Sequence, residues 1–114
     1  MAKRHQQTPI FHRVVEHGDV LYFSGVVADD VSQDMKGQTA QICQKLDRLL
    51  GEVGSSKDKL LTATLFVTDM SQKPGMNEAW TAWIPAESLP TRATLGVADL
   101  GKDVLIEVVI SAHR

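Results

Sequence analysis

Residues 89–112, LPTRATLGVADLGKDVLIEVVISA, decide how this chain folds. Pro90 to Val97 reads as a strand, Asp99-Leu100-Gly101-Lys102-Asp103 has turn chemistry, and Val104 to Ala112 reads as a second strand. The turn is short enough to predict a β-hairpin between the two. Side chains alternate along a strand, so Val104, Ile106, Val108 and Ile110 share one face and Leu105, Glu107 and Val109 the other. A strand that is apolar on both faces needs cover on both.

Upstream, Leu60 to Thr68 (LLTATLFVT) predicts another strand, with Ala63, Leu65 and Val67 on one face. Before it, Ile42, Leu46, Leu49, Leu50 and Val53 recur at helical spacing against a polar face of Gln41, Gln44, Lys45, Asp47 and Arg48. A helix is expected over Lys36–Val53, with Gly54 as the residue that ends it. After Asp69 to Gly75, where Asp69 or Ser71 can cap and Pro74 suits a first turn, Met76, Ala79, Trp80 and Trp83 predict a short second helix ending before Pro85. At the start, Ile10–Val15 and Val20–Ser24 flank Glu16-His17-Gly18-Asp19 and predict a hairpin, preceded by a polar tail over residues 1–9. The order β-β-α-β-α-β-β implies an α+β domain spanning residues 1–114, a mixed sheet with both helices on one face. Two short helices cover one side only, so the bare side is expected to meet another copy of the chain.

The 114 residues suit one core, and the 43% apolar and 23% charged shares are ordinary for a folded domain. A net charge of -2, with no basic stripe, argues against nucleic acid as a partner. No apolar run approaches the ~20 residues of a membrane span. The polar start lacks a signal peptide's apolar stretch. The single Cys43 forms no internal disulfide, which fits a reducing compartment; the expected location is the cytoplasm.

Glu107 interrupts an apolar strand, and a buried carboxylate must be paired, hydrogen-bonded or protonated. It is either half of a structural ion pair at a subunit contact or a general acid/base in a cleft. Arg92 offers the planar fork that grips a carboxylate, and Thr94, two residues on, shares its face. On adjacent strands Arg92 and Glu107 would pair with each other or frame a small acidic substrate. Gly25, after Ser24, permits close backbone approach. Cys43 has no cation or helix start to activate it, and His5, His12, His17 and His113 form no metal-ligand spacing. Trp80 and Trp83 are packing residues rather than a base-stacking platform. Phosphate-loop and serine-hydrolase motifs are absent.

With these residues in place, the chain resembles the RidA (YjgF/YER057c/UK114) family from about Phe11 to Arg114. The hairpin GDVLYFSG (18–25), the helix segment QICQKLD (41–47) followed by LLTATLFVTD (60–69), and above all residues 89–112 carry the likeness. The resemblance implies a chorismate-mutase-like fold, a homotrimer with clefts between subunits, and no metal or organic cofactor. It implies hydrolysis of enamines and 2-iminoacids to 2-ketoacids and ammonia. Arg92 would bind the substrate carboxylate and Glu107 would activate water, with Thr94, Ser24, Gly25 and Asn77 lining the pocket. Phe11 stands where active members generally carry a Tyr that lines the neighbouring subunit's cleft, and Val26-Val27 replaces a glutamine-bearing loop; both mark a divergent subfamily. The alternative is a non-catalytic module that binds a small carboxylate, or regulates a partner, through the same cleft. RNA cleavage or translation inhibition, attributed to some members, is disfavoured by the acidic charge balance.

Overall fold

A computed structural model describes residues 1–114. In chain order the elements are β1 (Lys3–Gln7), β2 (His12–His17), β3 (Val20–Phe23), α1 (Met35–Glu52), β4 (Leu60–Val67), α2 (Lys73–Trp83), β5 (Thr91–Gly96) and β6 (Ile106–His113). The strands form one mixed sheet in the order β1-β2-β3-β6-β4-β5. Only β4 and β5 run parallel, as the α2 crossover between them requires.

Sequence and structure agree on α1. Asp34 caps it by accepting from Gly37 N at 2.8 Å, and Gly54 closes it at φ +76. Ile42, Leu46 and Leu50, four residues apart, are fully buried. They pack with α2's Met76 and Trp80 onto Leu21, Phe23, Ala63, Leu65, Ile106, Val108 and Ile110, in a core of 21 residues. The β2–β3 hairpin forms around Gly18 at φ +60.

Two expectations are corrected. Residues 1–9 are not simply a tail: Lys3–Gln7 form edge strand β1, antiparallel to β2. Its side chains are polar because both its faces are wet, so it carries no apolar alternation. The expected hairpin between β5 and β6 does not form either; each pairs with β4, on opposite sides of it. The α2 crossover sets β5 at the sheet's edge, and β6, with an almost fully buried inner face, takes the interior place between β3 and β4.

Register shows what the helices leave uncovered. Partners across a ladder point to the same face. Tyr22, Ser111 and Thr62 therefore stand together, as do Val109, Thr64 and Ala93, and Glu107, Phe66 and Leu95. This open face is largely apolar yet accessible, with Tyr22 56% and Leu95 44% exposed.

Candidate functional site

Glu107 rises from β6 onto the open face beside Phe66. After β3 the chain returns to β6, with Val26 N donating to Val108 O at 2.9 Å and Val108 N to Val26 O at 3.0 Å. That bridge lays Gly25 against the Glu107 carboxyl: a Cβ on Gly25 would lie 2.8 Å from Glu107 Cδ and overlap its carboxylate oxygen. Glycine is thus required for contact rather than for backbone freedom. Glu107 is half-buried. It takes no part in the chain's four ion pairs, His5–Glu16, Lys36–Glu78, Lys45–Asp29 and Arg114–Glu16, and no side-chain hydrogen bond reaches it. Its oxygens are therefore available to water or a ligand.

Arg92 and Thr94 are not beside it. They align with Ala63 and Leu65 of β4, on the helix-covered face, whereas Glu107 aligns with Phe66 on the other. β4 lies between them, and strand spacing puts the Arg92 and Glu107 Cα atoms about 14 Å apart, with side chains leaving opposite faces. Arg92 is exposed, Thr94 half-buried, and the Arg92 guanidinium has neither ion pair nor hydrogen bond within the protomer.

Asn77 lies on α2. α2 meets α1 through Gly75 against Lys36 and through Glu78, whose Oε1 is 3.0 Å from Lys36 Nζ. Asn77, next to Glu78, is half-buried. Its Oδ1 is buried without a hydrogen-bond partner. Phe11 and Ile10 form a rigid apolar tip between β1 and β2, 44% and 85% exposed. Thr8 fixes the turn, its Oγ1 donating to Phe11 O at 2.9 Å and accepting from Phe11 N at 3.0 Å. The candidate residues thus fall into groups: Glu107 with Gly25 and the adjoining Ser24 on the open face, Arg92 and Thr94 at the β5 edge, Asn77 on α2, and Phe11 on its own tip.

Two positioning residues escaped the sequence reading. Gln38, fully buried in α1, donates from Nε2 to Val31 O (3.3 Å), Gln33 O (3.0 Å) and Asp103 O (3.0 Å), and its Oε1 accepts from Leu105 N at 3.0 Å. It ties the segment before β6, including Asp103 at φ 61, to the helix layer. The available signal was its place four residues before Ile42, on the apolar stripe. Lys45, assigned to the wet face, instead reaches Val27 O and Asp29 Oδ1, both at 2.8 Å, and pins the loop after Gly25. That lysine holds the Asp29 carboxyl below the usual range. Cys43 is 2% exposed, and burial pushes its thiol up to about 12, as expected of a packing residue. Trp80 is buried, and Trp83 Nε1 donates to Asp47 Oδ2 at 3.0 Å. No group of three or more His, Cys, Asp or Glu is gathered for a metal. No helix is long and apolar enough to cross a membrane.

Comparison with known proteins places this architecture. The family model described as Endoribonuclease L-PSP matches residues 2–114. The RutC family protein YoaB of Escherichia coli is 34% identical over 99 residues, spanning 87% of this chain and 86% of that protein. An uncharacterized protein of Pseudomonas aeruginosa superposes with a TM-score of 0.94 at 31% identity, covering 100% of this chain and 99% of the other. A YjgF-family member from Neisseria meningitidis also gives 0.94, at 28% identity, over 100% and 95% of the two chains. The chain belongs to the YjgF/RidA family, the one whose model is described as Endoribonuclease L-PSP.

Proposed function

We propose that the protein hydrolyses reactive enamines and 2-iminoacids to 2-ketoacids and ammonia, as a cytoplasmic homotrimer that works without a cofactor, in clefts between its subunits. The observation that carries the reading is Glu107: a half-buried carboxylate without a partner, seated on a glycine whose lack of a side chain makes room for it. Burying such a group unpaired is costly unless something it acts on arrives.

The β5 edge of one subunit brings Arg92 and Thr94 to the open face of the next. Arg92 holds the substrate carboxylate with two charge-assisted hydrogen bonds. Asn77 joins Thr94 in lining the cleft. Phe11 and its neighbour Ile10 close the cleft, and the Ser24–Gly25 backbone borders the reacting atoms. Glu107 takes a proton from water as the oxygen adds to the imine carbon. Glu107 returns that proton to nitrogen, giving the carbinolamine; the carbinolamine hydroxyl then gives up its own proton, passed through Glu107 to nitrogen, as the C–N bond breaks, and ammonia leaves a carbonyl. Imines hydrolyse unaided, so ~10²–10⁴-fold from one acid/base group is sufficient.

The test generates a 2-iminoacid in situ with an amino-acid oxidase and follows ketoacid release. Wild type should exceed the spontaneous rate, with both Arg92→Ala and Glu107→Gln falling back to it. A carboxylate-binding module would lose ligand with Arg92→Ala but keep it with Glu107→Gln. No acceleration by wild type across several iminoacids sinks the proposal.

A further inference from the structure

Behind Gly25, between β1, β2 and the outer flank of α1, lies a cleft of about 320 Å³, large enough for a small metabolite. Arg13, Lys45, Arg48, Asp29 and Glu52 line it, one more cation than carboxylates. Most of that charge is already spoken for. Lys45 is held by Val27 O and Asp29. Glu52 Oε2 accepts from Gln6 Nε2 at 2.6 Å. Gln6 stands at φ 55 within β1, a conformation that a non-glycine residue seldom adopts, and its amide closes one wall of the cleft. Arg13 and Arg48 remain: neither appears in any ion pair or side-chain hydrogen bond of the chain. Both are exposed, Arg13 on β2 and Arg48 on α1; a guanidinium is always charged and carries five donors, so the residues lining the cleft include two cations without a protein partner and with donors free for an anion.

We propose that this cleft binds a small anion, through a carboxylate or phosphate head group held by Arg13 and Arg48. The site is separate from the proposed catalytic residues Arg92 and Glu107, although Gly25 borders both. It stands on residues that the iminoacid reading does not use.

The experiment titrates the ¹⁵N-labelled full-length protein with inorganic phosphate and, in parallel, with acetate, each against chloride at matched ionic strength. Expected are saturable shifts of the Gly25 to Asp29 amides with at least one of the two anions, which identifies the preferred head group. Arg13→Gln and Arg48→Gln should each weaken that binding about tenfold or more, the loss of charge-assisted hydrogen bonds. Arg92→Gln should leave it intact. The proposal is overturned if the shifts do not saturate, if chloride reproduces them, if both glutamine variants bind as wild type does, or if Arg92→Gln alone abolishes them. It also fails if either variant changes the oligomeric mass, which would assign the arginines to a subunit contact.

Discussion

Replacing Gly25 by Ala asks directly whether the close approach of this glycine to Glu107 matters. Gly25 is not among the residues at positive φ, so alanine meets no backbone strain there. The new methyl would lie 2.8 Å from Glu107 Cδ and 3.1 Å from Cγ, against an ordinary carbon contact of about 3.5–4.0 Å. The carboxyl must therefore withdraw by about 1 Å. Being half-buried and unpaired, it has somewhere to go, and a strained rotamer costs on the order of 0.5–1.5 kcal/mol. Reduced freedom of the unfolded chain returns about 0.4–1 kcal/mol, so stability should fall by about 1 kcal/mol or less. Catalysis is far less tolerant, since a 1 Å misplacement costs about 10²-fold. The assays are urea unfolding and iminoacid turnover, run on Gly25→Ala, Glu107→Ala and the double variant. In the Glu107→Ala background the methyl has nothing to strike, so Gly25→Ala should become neutral or stabilising. Strict additivity of the two stability changes would refute the steric argument. Undiminished turnover in Gly25→Ala would refute the role given to the carboxylate's position.

Gln38→Leu keeps the volume of a buried side chain while removing four hydrogen bonds. With Leu105 N and the Asp103 carbonyl left unpaired, the loss should be about 3–5 kcal/mol, read from urea midpoints, with faster amide exchange at Leu105; a loss under about 1 kcal/mol would contradict the assigned role. Glu16 is held below the usual carboxyl range by hydrogen bonds from Arg114 first and His5 second. Because its folded pKa is depressed, its contribution to stability is complete above the unfolded value of about 4.3 and fades as pH falls through the lower folded one. Glu16→Gln should flatten that acid limb of the stability curve, and identical limbs in both proteins would remove the ion pair from the explanation.

Legibility in the sequence followed how far local pattern dictates structure. α1 was readable because its apolar stripe repeats at helical spacing, and β6 because Ile106, Val108 and Ile110 alternate with Glu107 and Val109. The bare second face was readable for the same reason. β1 was not, since Lys3, Arg4, Gln6 and Gln7 present no apolar pattern; backbone pairing to β2, the His5–Glu16 pair at 2.7 Å and Gln6–Glu52 hold it instead. The side of β4 that β5 would take was also hidden, because a turn's length does not say which strand edge is vacant. That one choice decides whether Arg92 and Glu107 share a face. Gln38 and Lys45 were missed for opposite reasons: the first is a polar residue on a core stripe, the second a lysine that bends inward to serve a loop.

Arg92 and Glu107 leave opposite faces of one sheet, whereas a 2-iminoacid carries its carboxylate and its imine carbon one bond apart, within about 1.5 Å. Both groups therefore act on one substrate only if they come from different copies of the chain, the β5 edge of one meeting the open face of the next. Repeated edge-to-face contacts of this kind close into a ring when the rotation between neighbours closes, and each cleft then takes one group from each of two copies. Mixing then becomes diagnostic. Arg92→Ala subunits keep an intact Glu107 face, and Glu107→Gln subunits keep an intact Arg92 edge. Each variant alone should be inactive. Co-expressed in equal amounts, they should regain roughly a quarter of wild-type turnover, since one cleft in four pairs the two intact halves at random assembly. Native mass spectrometry is the check that mixed assemblies form. If such assemblies form and stay inactive, the two groups do not share a cleft, and the division of labour between edge and face is wrong.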